Sequence, residues 1–200
     1  MYLSRIVLNN SRVAQNWSAN PYRIHQRLLL AFDQEPRLLF RLEEEDERRQ
    51  ILVQSLCEPD WKRAFSELAV LQREVECKGF LPRLNAGGIY NFRLLANPTV
   101  KRNGSRLGLL REEDQQTWLA RKLSDAGAVV LTACVRAARM QRSDKGPAKD
   151  SASQTHLAVL FEGVLRASDP QRLVDAVEGG IGAAKAYGFG LLSLKHCVME

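Results

Sequence analysis

Hydrophobic positions near the start of the chain change period from strand to helix and back. Tyr2 to Leu8 is a short apolar run of strand type. From Asn20 to Phe32 apolar residues recur at helical spacing. Ile24, Leu28 and Ala31 or Phe32 fall on one side, Asn20 is placed to cap, and Pro21 takes the first helical position. Two strand-like runs follow, Arg37 to Leu42 and Gln50 to Ser55, around a fully polar, mostly acidic stretch from Glu43 to Arg49. That pattern predicts a β-hairpin with a solvated tip, because adjacent carboxylates in a flexible loop rarely converge on one point. Asp60 to Leu71 predicts a helix, with Trp61, Phe65, Leu68 and Leu71 on one side. A short strand near Glu74 to Cys77 closes the set. The order β-α-β-β-α-β is the ferredoxin-like arrangement.

The second half repeats that order without repeating the sequence. Ile89 to Ala96 is strand-like, and a basic, turn-rich stretch runs from Asn97 to Leu110. Glu112 to Ala126 predicts a helix with acidic residues in its first turn and Trp118, Leu119 and Leu123 as core candidates. Ala128 to Val135 is β-rich. Arg136 to Ser153 is polar, basic and broken by Gly146-Pro147, which predicts a loop or mobile hairpin. His156 to Leu165 predicts a strand, Asp169 to Val177 a capped helix, and Leu191 to Cys197 the last strand. The expectation is an α+β protein of two tandem ferredoxin-like domains, 1–84 and 85–200, joined near Leu81 to Gly88.

Composition narrows the class of partner. A length of 200 residues suits two small domains, and a hydrophobic fraction of 45% supports a core. The formal net charge of +6 points to a polyanion, either nucleic acid or an anionic membrane surface. No segment has the apolar length to span a bilayer, no amphipathic basic helix stands out, and the N-terminal run is too short for a signal peptide. Cys57, Cys77, Cys134 and Cys197 lie in apolar stretches without CxxC spacing, so buried free thiols in a reducing, cytoplasmic setting are expected. No His, Cys and carboxylate grouping has zinc-ligand spacing, so no metal or cofactor is expected.

Four motifs then fall in a telling order. They are Asn20-Pro21-Tyr22-Arg23-Ile24-His25, Phe92 to Pro98 (FRLLANP), Phe161-Glu162-Gly163, and the glycine-rich Gly180 to Leu194. Together they resemble the CasE family, the repeat-processing endoribonucleases of type I-E CRISPR systems, along nearly the whole chain. The resemblance implies a tandem ferredoxin-like fold and cleavage of precursor CRISPR RNA at the 3′ base of each repeat stem-loop. It also implies lasting attachment to the product hairpin beside the other subunits of the Cascade complex, with no membrane and no direct DNA contact. The family's active-site histidine falls on His25 and its partner tyrosine on Tyr22. Some members carry a lysine five residues after the histidine; here that position is Leu30.

The chemistry suits these residue types. RNA carries its own nucleophile, the 2′-OH, so cleavage needs a base for that proton, an acid for the leaving 5′ oxygen, and charge to stabilise the phosphorane. The products are a 2′,3′-cyclic phosphate and a 5′-OH end. Histidine gives or takes a proton near neutrality. Tyr22 and His25, three apart, share a helix face. In the first turn they lie near the helix's positive end, which welcomes phosphate and favours the neutral imidazole. Which of the two is base and which acid stays open, and Tyr22 could instead hold the phosphate or stack on a base. Arg23 or Arg27 could supply the stabilising cation. His156 and His196 are weaker candidates, outside any His-x-Thr/Ser pattern.

Two basic clusters are candidates for RNA binding: Lys101, Arg102 and Arg106, and then Arg136, Arg139, Arg142, Lys145 and Lys149. Solvated loop charge fits the first cluster equally well. The major groove of an A-form stem resists side-chain reading, so recognition should rest on shape, backbone and the stem's ends. The glycine-rich stretch follows a helix and precedes a strand, the reverse of a dinucleotide loop. Its Lys185 could touch phosphate or sit in a purely structural turn. The alternative function is a non-catalytic, hairpin-holding subunit of the same complex; a generic basic interaction protein is a third.

Overall fold

The computed structural model describes every residue except 35, 46–47, 103, 145–152 and 198–200. The chain divides into two compact units. One comprises 1–81, 142–154 and 185–188; the other comprises 82–141, 155–184 and 189–200.

In the first unit, β1 (Tyr2–Leu8) is followed by α1 (Arg12–Ser18) and α2 (Pro21–Leu29), then β2 (Leu38–Glu45) and β3 (Arg48–Ser55), α3 (Trp61–Phe65) and β4 (Glu76–Gly79). The strands form an antiparallel sheet in the order β2-β3-β1-β4. Alternate strand residues, among them Ile6, Leu8, Phe40, Ile51 and Val53, meet Ile24, Leu28, Trp61 and Phe65 in one buried core. A polar member of this strand face, Ser4, is 4% exposed and accepts a 2.9 Å hydrogen bond from the Trp61 indole. This is the expected ferredoxin-like order, with the first helix split in two.

Several elements differ from expectation, each for a local reason. Residues Arg12–Ser18 form a helix that sequence periodicity missed; Ser11 caps it through its Oγ, accepting from Ala14 N at 3.1 Å. Helix α2 stops at Leu29 rather than Phe32. The helix expected to Leu71 ends at Phe65, because the chain turns so that Leu71 bridges Leu8 and Val70 O accepts from Asn9 N. The closing strand is Glu76–Gly79, slightly later than Glu74 to Cys77. The supposed acidic tip is largely ladder. Glu44 lies opposite Arg49 and pairs with it at 2.8 Å, and Glu43 accepts from buried Arg41 and from Gln50. Opposite charges across the strands extend the hairpin instead of opening it.

The second unit contains β5 (Ile89–Ala96), a small hairpin of β6 (Thr99–Arg102) and β7 (Ser105–Gly108), then α4 (Glu112–Asp125). Strands β8 (Ala128–Ser143) and β9 (Gln154–Ala167), α5 (Pro170–Gly179) and β10 (Leu192–His196) complete it. Sheet order is β10-β5-β9-β8, the same permutation as in the first unit. Tyr90, Phe92, Leu94 and Ala96 alternate into its core, where Trp118 of α4 stacks on Phe161 of β9. The turn-rich stretch after β5 thus forms a hairpin, and β8 continues through Ser143 beside β9, so of the loop or hairpin expected from Arg136 the described residues take the hairpin form. Among the described residues no helix is long and apolar enough to cross a membrane.

The cysteines depart from the burial expected of them. Cys57, Cys77 and Cys134 are exposed and Cys197 is half-buried, all as free thiols. Cys77 lies on β4 and Cys134 on β8, both edge strands, and Cys57 follows β3 at a bend, so all three reach solvent.

Two features of the second unit have measurable consequences. A Cβ on Gly163 would lie 2.1 Å from the Thr132 carbonyl oxygen and 2.8 Å from Ala133 Cα, so only glycine lets β8 pass β9 here. Gly163→Ala should destabilise the protein by at least about 2 kcal/mol in denaturant unfolding, since backbone must move; an unchanged midpoint refutes the packing argument. The second is His156, whose Nδ1 accepts from Asn97 Nδ2 at 3.2 Å, placing the proton of the neutral ring on Nε2. Burial pushes its pKa below the ordinary value of 6.5. As pH falls through that value the unfolded chain takes up this proton before the folded one does, so stability drops across the window just below it. The melting temperature should therefore fall on acidification, and His156→Gln should flatten that fall; parallel curves for the two proteins would contradict it.

Candidate active site

Helix α2 sorts its side chains into three stripes. Pro21, Ile24 and Leu28 are buried, Arg23, Gln26 and Leu30 beside its end are exposed, and Tyr22, His25 and Leu29 lie half-buried between them. Complete burial of Ile24 and Leu28 contributes on the order of 1.5–3 kcal/mol each. That burial fixes the rotation of the helix and so sets the intermediate stripe at the rim of the core. Asn20 caps the helix through Oδ1, which accepts from Tyr22 N at 3.1 Å, and its Nδ2 donates to the Asp144 carbonyl at 2.9 Å. Pro21 at the first position needs no N–H partner.

The two candidate rings meet. Tyr22 and His25 have centroids 6.5 Å apart with planes tilted by 46°. Each also rests on a further ring. His25 stacks on buried Phe40 of β2 at 6.1 Å and 12°, and Tyr22 stacks on Tyr187 at 5.7 Å and 29°. Tyr187, 8% exposed, belongs to a 3-10 turn, Lys185–Tyr187, and its hydroxyl donates to Gln154 Oε1 at 2.7 Å. The next residue, Gly188, has φ +85°, and a Cβ there would lie 3.1 Å from Phe40 Cε2. Sequence reasoning assigned no role to Phe40, Gln154 or Tyr187. The available signal was an aromatic residue inside a glycine-rich stretch.

The other candidate residues fall into distinct settings. Arg23 is exposed one residue beyond Tyr22. Arg27 is half-buried and donates to the Ala64 carbonyl at 3.3 Å, which ties its guanidinium to α3. Leu30 is 47% exposed. Lys185 is half-buried in the turn that carries Tyr187. Arg142 is exposed, donates to Ser153 Oγ at 2.7 Å and lies 3.6 Å from Asp144 Oδ1.

In the second unit Lys101 and Arg106 are directly opposite in the β6–β7 ladder, with Arg102 opposite Ser105, and all three basic side chains are exposed. Arg136 and Arg139 are exposed strand residues of β8, and Arg136 shares Glu162 with Arg93. Lys145 and Lys149 lie outside the described residues. His196 is exposed at the end of β10, edge-on to Tyr90.

Comparison with known proteins gives this geometry a lineage. The CRISPR-associated endoribonuclease Cse3 of Thermus thermophilus is 33% identical over 97% of this chain and 99% of its own. The CRISPR system Cascade subunit CasE of Escherichia coli K12 is also 33% identical, over 97% and 98%. Thermus thermophilus Cse3 bound to an RNA representing a pre-cleavage complex matches with a TM-score of 0.87 at 33% identity, covering 97% of this chain and 98% of that one. Escherichia coli Cas6e matches with a TM-score of 0.74 at 32% identity, covering 98% and 100%. A family model described as CRISPR associated protein spans residues 1–196. Agreement of sequence and fold from end to end places this chain in the CRISPR associated protein family.

Proposed function

We propose that this chain is an endoribonuclease that cuts precursor CRISPR RNA at the 3′ base of the repeat stem-loop and stays on the mature hairpin within Cascade. The observation that carries the reading is the Tyr22–His25 pair, an imidazole and a phenol one helical turn apart on the half-buried stripe of α2. Similarity to a named CRISPR endoribonuclease, and to that protein in a pre-cleavage RNA complex, supports it. Similarity to a named Cascade subunit supports the assembly.

The reaction is an internal transesterification. The ribose 2′-OH loses its proton and its oxygen attacks the adjoining phosphorus. The bond to the 5′ oxygen breaks, and that oxygen takes up a proton. The products are a 2′,3′-cyclic phosphate and a 5′-OH end. His25 supplies an imidazole of the kind that takes or gives a proton near neutrality, and Tyr22 a phenol that can donate a hydrogen bond or a proton. The positive end of α2 and cations of the first unit, Arg23 and Lys185 among them, are the candidates to stabilise the charge that builds on the phosphorane. Exposed Lys101, Arg102, Arg106, Arg136, Arg139 and Arg142 neutralise stem phosphates, which makes hairpin affinity steeply dependent on salt.

Incubation of the purified protein with its repeat RNA tests the reading. His25→Ala should lower the single-turnover rate by at least about 100-fold and leave hairpin affinity within a few-fold of wild type. A single 2′-deoxy substitution at the cut site should block cleavage, since it removes the nucleophile. Cutting should continue in a chelator; loss of activity there overturns the mechanism. Tight binding without cutting by the wild-type protein would make it the non-catalytic hairpin holder instead.

A further inference from the structure

We infer that the turn Lys185–Gly188 is a brace for the active site, and that Tyr187, held by Gln154, is the positioning residue that sets the phenol of Tyr22. This rests on the catalytic reading above and extends it to residues that reading does not use. Three contacts carry it. Tyr187 lies nearly parallel to Tyr22 at 5.7 Å, covering one face of its ring. Its own hydroxyl is spent on Gln154 at 2.7 Å, so the ring is fixed at both ends, by the stack and by the hydrogen bond. It is also 8% exposed, which leaves it no open edge toward a bound RNA.

The adjoining Gly188 extends the brace to the second ring. Its α-carbon sits so close to Phe40 that a Cβ would press on that ring at 3.1 Å, and Phe40 in turn stacks nearly parallel to His25. A positive φ of +85° and this approach together require glycine. The turn therefore backs Tyr22 directly and His25 through Phe40.

The need for such a brace follows from where the rings sit. On the intermediate stripe of α2, each has one packed side and one open side, so the helix alone leaves χ1 and χ2 of Tyr22 unsettled. Misplacement of a reacting group by about 1 Å can cost about 100-fold in rate. A stacked aromatic wall removes that freedom before substrate arrives. Tyr187 touches no reacting atom, so its effect reaches the reaction only through Tyr22.

Single-turnover cleavage of the repeat hairpin by the full-length protein, with affinity measured in parallel on an uncleavable 2′-deoxy hairpin, tests this. Tyr187→Ala and the more space-filling Tyr187→Leu should slow cleavage about 10- to 100-fold and leave affinity within about threefold, which also reports that each variant folds. Tyr187→Phe retains the stack and should recover most of the rate. Gln154→Leu removes the same hydrogen bond and should match Tyr187→Phe. In a Tyr22→Phe background, which lacks the phenol oxygen being positioned, Tyr187→Ala should have little further effect.

Wild-type rates for Tyr187→Ala and Tyr187→Leu, an equal slowing in both backgrounds, or a loss of affinity as large as the loss of rate would each overturn the inference. A Tyr187→Phe rate no better than Tyr187→Ala would do the same. These outcomes are separable from failure of the catalytic reading, in which the wild-type protein itself does not cut or His25→Ala cuts normally.

Discussion

The chemistry of this protein depends on a packing constraint, the burial of one face of α2 against the first sheet. Pro21, Ile24 and Leu28 must leave water, and the helix can satisfy them in only one rotation. That rotation places the next stripe, Tyr22, His25 and Leu29, at the boundary between core and solvent. A ring there has an anchored base and an accessible edge, which a general acid or base requires. Deeper burial would close it off from RNA, and full exposure would leave its orientation to chance. Helix geometry supplies the shared face, and Phe40 and Tyr187 supply the walls that a 3.6-residue period cannot.

Charge is divided between structure and partner in a way that composition alone does not show. Arg41 is buried against Glu43, and Arg93 pairs with Glu162 at 2.6 Å, so these two arginines are already committed. The β6–β7 hairpin does the opposite. It sets Lys101 directly across from Arg106, an arrangement that costs folding free energy because like charges face each other over one ladder. On the proposed reading, such a cost is offset when a polyanion arrives and its counterions are released. The surplus of +6 thus matters less than its placement on a small hairpin with no acidic residue in either strand.

Much of this was legible from pattern. Element order, the alternating cores of β1 and β5, and the caps Asn20 and Asp169 follow from local rules, and both sheets obey them. What escaped reading depends on distant partners. Glu43 and Glu44 look like a loop until Arg41, Gln50 and Arg49 are brought across from them. The short α3 looks like the start of a longer helix until Leu71 is claimed by Leu8. The cysteines look buried from the apolar stretches around them, yet Cys77 and Cys134 fall on edge strands and Cys57 just beyond a strand end, where solvent reaches them. Tyr22 and His25 were visible as a pair, but Tyr187 is more than 160 residues away, and no local period links it to them.

The absence of a lysine at position 30 has a physical resolution within α2 itself. Leu30 caps the helix at its C-terminal, electronegative end, more than two turns from Tyr22, and the nearby Arg27 is bound to the Ala64 carbonyl. On the catalytic reading, the phosphorane forms near the N-terminal turn, where Tyr22 stands. There the helix end is itself electropositive, Arg23 is exposed on the following residue, and Lys185 shares a turn with the tyrosine that backs Tyr22. Positive potential at the reacting phosphate is then assembled from several partial sources, and the loss of one side chain at position 30 removes a contribution this arrangement does not depend on.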